Sequence, residues 1–297
     1  MSDRCAPGKG DKITCFSMEQ LNEMAMAYNK YIAKKNLSLN QSRVQYEVAF
    51  IDIKPDKRYL LKELMNRFNT VCNGDEACLT KQAFMNDIMG EMKKDIKNNT
   101  FRVEGPNGTT EWLSTTDIDG IMKQYEEVYH DFIFLGAVPR DCSKFQACAL
   151  YNTDFASYER KGKKRIGIIF NHDGMWQSGS HWVALYLNLE TGDCYYCDSV
   201  GDPPKPDVKE YIDKFKQYMT SKGGNINNRV NKQRYQKDGS ECGVYSCNFL
   251  IRVLKGEDFD SIVANPLPFP KINSCRNIYF RNGKSKYTPD PLCEPDV

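Results

Sequence analysis

The chain has 297 residues, 40% of them hydrophobic and 27% charged, which suits one large domain or two ordinary ones of a soluble globular protein. Its net charge of +2 supplies no overall field to gather nucleic acid or a membrane surface, and no apolar stretch approaches the length of a membrane span. The first residues lack the apolar core of a signal peptide, so the 12 cysteines are expected as reduced thiols rather than as a disulfide frame.

Residues 1 to about 14 are polar and rich in Gly and Lys, and they read as a disordered tail. Ser17 and Gln20 then form a capping-box pattern, opening a helix with Leu21, Met24, Tyr28 and Ile32 on one face. Residues 46–53 read as a strand ended by Pro55, and residues 59–68 as a second helix carrying Leu60, Leu61, Leu64, Met65 and Phe68. Thr80 is placed as the cap of a third, with Ala83, Phe84, Ile88, Met92 and Ile96 as its apolar face and Asn98-Asn99 at its end. Together these make a small, mostly helical N-terminal domain, residues 1–105. Gly105-Pro106-Asn107-Gly108 is the clearest boundary, and residues 106–297 form the second domain.

After Trp112-Leu113-Ser114 a helix buries Ile118, Ile121, Met122, Tyr125 and Val128, followed by an extended run at 132–139 and a basic loop at 158–164. Three strands are predicted at 165–170, 181–189 and 194–199, the last two joined by a turn at 190–193. An amphipathic helix spans 207–220, a further strand 230–235, and an apolar helix starts at Cys242 and stops at Lys255-Gly256. The fold class is α+β: a mainly antiparallel central sheet packed by helices, one of which begins with a cysteine.

That cysteine organises the chemistry. A thiol in the first turn of a helix meets unpaired N–H groups and the positive end of the dipole, which favour a thiolate. A thiolate nucleophile needs a base, and the base a carboxylate to hold its tautomer. His181, in Gly179-Ser180-His181-Trp182, and Asp198, in Tyr195-Tyr196-Cys197-Asp198-Ser199, supply both, and Gln236 offers an amide N–H for an oxyanion. Gln233 competes with Gln236 but stands three residues further back. His130 and His172 are read as solvated or structural.

His-Trp on one strand, an acid on the next, then Gln, five residues and Cys-Gly is a pattern that resembles the adenovirus-type maturation proteases and the SUMO-specific proteases. The resemblance begins near Glu111 and covers the rest of the chain. It implies a cysteine endopeptidase in which Cys242 attacks, His181 is the base, Asp198 orients it and Gln236 lines the oxyanion hole. By the same resemblance Trp112 and Trp182 sandwich a slot that admits glycine, so that cleavage follows glycine in Gly-Gly-Xaa or Gly-Xaa-Gly contexts; the plainer reading makes both of them core tryptophans. Several stretches are similar to maturation proteases of large DNA viruses and their virophages: Trp112-Leu113-Ser114 with Asp117-Ile118, the run 134–139, Glu241-Cys242-Gly243-Val244, Cys72 and Cys78 flanking Asp75-Glu76, and the tail 276–281. Departures stand at Glu241, where SUMO-specific enzymes usually carry Asp, and at Arg140-Asp141-Cys142. The implied substrates are capsid and core precursors, and the implied setting is the virion and the virus factory in the host cytoplasm, with no cofactor, metal or membrane.

Two other readings compete. One keeps the chemistry and changes the substrate to SUMO or ubiquitin conjugates. The other is a nucleic-acid-, capsid- or zinc-binding interaction protein. Cys194 and Cys197 have CxxC spacing, but positions i and i+3 of a strand face opposite sides, and Cys72 and Cys78 are spaced too widely for a zinc knuckle. Arg160 to Lys164, with Lys93, Lys94 and Lys97, could make a weak DNA contact, although such clusters are usually solvated faces.

Overall fold

The computed structural model describes residues 4–41 and 49–294, which divide into two compact units, Met1–Arg102 and Val103–Val297. In the first, α1 (Met18–Gln41) is opened by a reciprocal capping box: Ser17 N donates to Gln20 Oε1 at 2.9 Å and Gln20 N to Ser17 Oγ at 3.0 Å. Leu21, Met24, Tyr28 and Ile32 meet Leu60 and Leu64 of α2 (Lys57–Arg67) in a core that includes Phe16, Phe84 and Ile96. The expected tail is folded from Arg4 onward. A disulfide joins Cys5 to Cys15, both buried, and Cys5 bridges to Phe101.

Residues 46–48 of the predicted strand lie outside the described residues. Its remainder is not a strand, because the Asn29 amide takes the place of a partner, accepting from Ile51 N and donating to Ile51 O, both at 2.7 Å. Thr80 does not open a long helix. Two short helices, α3 (Asn69–Cys72) and α4 (Glu76–Leu79), precede it, tied by the disulfide Cys72–Cys78, and Thr80 Oγ1 turns back to Ala77 O at 2.7 Å. The apolar face continues as a 3-10 turn, Ala83–Asp87, and as α5 (Gly90–Asn98). The break falls at Ile88 and Met89, whose ψ of 134° and 170° are extended, before Gly90 opens α5 with a left-handed φ of 66°.

The second unit begins before the Gly-Pro-Asn-Gly stretch. Gly105 is packed rather than hinged: a Cβ there would lie 2.3 Å from the Phe280 ring, and its N–H donates to Asn282 Oδ1 at 2.7 Å. α6 (Thr115–Val128) starts from a second capping box, Ser114 with Asp117. It is followed by β1 (Phe132–Pro139), α7 (Phe155–Arg160), β2 (Arg165–Asn171), β3 (Trp182–Asn188), β4 (Asp193–Cys197), α8 (Pro206–Ser221), β5 (Asn227–Val230), α9 (Cys242–Leu254), α10 (Phe259–Ala264), α11 (Lys271–Ser274) and α12 (Arg276–Tyr279). The first half of the predicted basic loop is thus the end of α7. Arg160 pairs with Asp154, Lys164 with Glu190, and Lys163 donates to the carbonyls of His130 and Phe132.

The five strands lie in sequence order, antiparallel from β2 to β4 and parallel at both edges. Period-two alternation splits β3: Trp182, Ala184 and Tyr186 face α6 and α9, whereas Val183, Leu185 and Leu187 face Tyr211, Ile212 and Phe215 of α8. This makes an α+β sandwich with a helical layer on each side of the sheet. The predicted strand at 230–235 ends at Val230. Beyond it the chain stays beside β4 through single bonds, Asn231 N to Tyr196 O and Gln236 N to Ser199 O, both 3.0 Å.

The cysteine expectation is corrected. Cys142–Cys148 and Cys275–Cys293 join the two disulfides already described, leaving Cys194, Cys197, Cys242 and Cys247 free. The paired Cα atoms lie between 4.9 and 5.6 Å apart, within the range a bridge needs, and a composition argument carries no such proximity. Denatured without reductant, the protein is expected to take up four alkyl groups, the number of free thiols, and 12 after reduction. Intact mass spectrometry showing more than four before reduction would refute the pairing, each absent bridge adding two alkyl groups.

Candidate active site

Cys242 is the first residue of α9 and is buried. The turn before it is held by one carboxylate: Asp238 Oδ1 accepts from Ser240 N at 2.8 Å and Glu241 N at 2.9 Å. The Gln236 amide, also buried, is clamped at both ends, Oε1 accepting from Ser199 Oγ at 2.5 Å and Nε2 donating to Asp238 O at 2.9 Å. An amide nitrogen has two hydrogens, so one remains for another acceptor. Behind the cysteine, the fully buried Glu241 accepts from Asn273 Nδ2 at 2.8 Å and Arg276 Nε at 3.1 Å. In front, Gly243 lets Leu113 approach, since an added Cβ would meet Leu113 Cβ at 3.0 Å. Leu113 O in turn accepts the indole N–H of Trp182 at 2.8 Å.

His181 stands just before β3. The loop leading to it is closed on itself, with Asn171 Oδ1 accepting from Ser180 N at 3.1 Å and Asp173 accepting from Gly179 N at 3.1 Å and Ser180 Oγ at 2.9 Å. Its Nε2 lies 2.7 Å from Oδ1 of Asp198, which leaves Nδ1 for the Cys242 thiol. Asp198 follows β4 and is fully buried. Its Oδ1 also accepts from Val200 N at 2.9 Å, and its backbone carbonyl accepts from Asn231 Nδ2 at 2.5 Å. Burial alone would discharge His181, but hydrogen bonds to Asp198 and Cys242 outweigh it and raise its pKa to about 9. His181, Asp198 and the amide of Gln236 thus converge on the segment that leads into Cys242, whereas Gln233 meets Asn231 through its backbone.

The other free thiols are unlike Cys242. Burial pushes Cys194 and Cys197 up to about 12 and raises Cys247 as well. Cys194 belongs to the α8 side of the sheet and Cys197 to the α9 side, so their CxxC spacing brings no pair of thiols to one face. Among the described residues, one group of three ligating side chains lies within 4.8 Å: His172, His181 and Asp198. The hydrogen bond between the last two occupies atoms a metal would use.

The tryptophans differ. Trp182 is buried, while Trp112 is 51% exposed and no core residue. Both line a cavity of about 400 Å³ with Leu113, Pro139, Asp173 and Met175. A hollow of about 700 Å³ on α8, beside Tyr151, Lys209 and Lys214, is larger but has no cysteine or histidine in its wall. His172, read from sequence as a bystander, instead touches the site. The pairing Asn171↔Trp182 places it opposite His181, a position that hairpin arithmetic gives once the register is known. Arg276 and Asn273, 34 and 31 residues beyond Cys242 by subtraction, had no spacing to betray them.

A family model, the Ulp1 protease family C-terminal catalytic domain, matches residues 152–285. A protein of Acanthamoeba polyphaga mimivirus named as a thiol protease is 51% identical over 294 residues, spanning 98% of this chain and 97% of its own. A SUMO-1 cysteine protease of African swine fever virus (isolate Pig/Kenya/KEN-50/1950) is 22% identical over 247 residues, 77% of this chain and 90% of its own. The crystal structure of a selenomethionyl African swine fever virus protease shares the fold, with a TM-score of 0.63 at 17% identity over 94% of this chain and 95% of that one.

Proposed function

We propose, for this viral cysteine protease, which belongs to the Ulp1 protease family, that Cys242, His181, Asp198 and Gln236 hydrolyse the peptide bond on the carboxyl side of glycine. The observation that carries the assignment is the buried Asp198 at 2.7 Å from His181, in a dyad whose imidazole keeps its proton up to about pH 9. His181 then holds Cys242 as a thiolate. The sulfur attacks the scissile carbonyl carbon, and the oxyanion is met by the backbone N–H of Cys242 and the spare hydrogen of Gln236 Nε2. Collapse breaks the C–N bond as His181 gives its proton to the leaving amine. The thioester that remains is cut by water, whose proton returns to His181, and the released acid restores the thiolate.

Trp112 and Trp182, which line the same cavity, support a narrow entry in which a substrate side chain would strike an indole. Trp112→Ala is expected to raise KM for glycine-terminated substrates about tenfold, on the order of 1.4 kcal/mol, with kcat changed less than about threefold. Steady-state kinetics on matched glycine and alanine peptides check this, and an unchanged KM removes Trp112 from the site.

For substrate, we assign glycine-containing capsid or core precursors, cut in the virion or the virus factory. Residues 106–297 are assigned as the catalytic domain and 1–105 as an accessory module. The swine fever virus relative, a SUMO-1 cysteine protease by name, favours a second reading, deconjugation of a ubiquitin-like protein. Mass spectrometry of a glycine-rich peptide library and of SUMO and ubiquitin conjugates, each incubated with wild type and Cys242→Ala, separates the two. Peptides cut after glycine by wild type alone support the first, and cutting confined to folded conjugates supports the second. Cutting by Cys242→Ala would remove the catalytic assignment. In the same panel, retention on heparin or DNA that does not vary with salt would dismiss the DNA contact.

A further inference from the structure

His172 packs beside the His181–Asp198 pair. Its backbone is fixed at both ends, N donating to His181 O at 2.8 Å and O accepting from Arg140 Nη1 at 2.7 Å. The ring lies 4.9 Å from that of His181, with Nε2 3.4 Å from the Tyr196 hydroxyl and 3.7 Å from Asp198 Oδ2. The two oxygens of Asp198 are unequal: Oδ1 has His181 and Val200 N, whereas Oδ2 is buried with no hydrogen-bond partner. A buried carboxylate oxygen left in that condition is costly, and a carboxylate free to rotate would exchange its oxygens and release the base.

Two imidazoles against one carboxylate do not both carry charge. His181 holds the proton, while burial and the charge on His181 depress His172 to about 4. At neutral pH His172 is therefore an uncharged ring; with its single hydrogen on Nε2, where it is shared with the Tyr196 hydroxyl, closure by less than ~1 Å would complete a bond to Oδ2.

We propose that His172 is a positioning residue: its Nε2–H faces Oδ2 of Asp198 and keeps the carboxylate turned so that Oδ1 stays on His181 through the catalytic cycle. The inference rests on the reading of Cys242, His181 and Asp198 as the catalytic unit. Its test compares kcat, KM and melting temperature of wild type, His172→Gln, His172→Leu and His172→Asn. The Gln amide reaches the same place with a donor, Leu fills the space without one, and Asn has a donor that falls short. Leu and Asn are expected to lower kcat roughly 10–100-fold, the range found when a group orienting an active-site ligand is removed, with KM within about twofold, while Gln stays within about threefold of wild type. If Leu fails to fold, Asn carries the comparison with Gln. Equal kcat for Gln and the donor-deficient variants, both unchanged or both low, overturns the proposal. Cleavage by Cys242→Ala would be a separate failure, that of the catalytic unit itself.

Discussion

Asp198→Asn is expected to lower kcat by about 10³–10⁴-fold, the scale seen when a triad carboxylate becomes an amide and the histidine is left in the wrong tautomer. The pH profile should move with it. In the wild type the hydrogen bond to Asp198 is the largest of the influences raising the pKa of His181, which together outweigh burial and bring it from 6.5 to about 9. The imidazolium of His181 is thus fully formed below the ordinary histidine value and lost as pH rises through about 9. The stability it contributes follows the same course, because the folded state holds the proton more tightly than the unfolded one. Removing the charge leaves burial, which opposes the imidazolium. The alkaline limb of kcat should therefore shift toward neutrality, and the pH dependence of Cys242 alkylation should shift with it. An Asn variant that keeps its alkaline limb near 9 would show that Asp198 does not set the charge state of His181.

The second large effect is on stability. Glu241 and Arg276 form an ion pair with side-chain exposures of 0% and 2%, and Arg276 Nη2 also donates to Glu111 O at 2.7 Å. Deleting one partner leaves the other buried and uncompensated, a loss of about 3–5 kcal/mol. Arg276→Ala should therefore melt roughly 10 °C lower and lose activity, since Glu241 immediately precedes Cys242. Glu241→Leu combined with Arg276→Met removes both charges at similar volume and should recover much of the lost stability. Calorimetry on the single and double variants decides it. A double variant no more stable than Arg276→Ala would mean that the pair acts through its hydrogen bonds rather than through charge compensation.

Legibility in the sequence followed the range of the interaction. Ser17 with Gln20 and Ser114 with Asp117 announce helices because a capping box is complete within four residues, and β3 was visible because a short, continuous apolar run ended by a turn is a local signal. Thr80 misled because a hydroxyl can bond backward as readily as forward, and the apolar spacing past Ile88 continues through a backbone break. The Cys242, His181 and Asp198 set stood out by residue type and order. Its supports did not: Asn231 on the Asp198 carbonyl, Ser199 on Gln236, Arg276 on Glu241 and His172 on Asp198 are brought in by register and tertiary packing. The four cysteine pairs were lost for a different reason, since a compartment was inferred where a distance was needed.

The placement of Glu241 also has a consequence for synthesis. Its partners Asn273 and Arg276 are made after it, and Asn248, further along α9, donates to Leu292 O at 2.7 Å. A chain still on the ribosome with Cys242 already outside lacks the side chains that neutralise Glu241, the residue before it. The protein should remain silent toward substrate until the segment 273–292 has emerged, which delays activity beyond the synthesis of Cys242 itself.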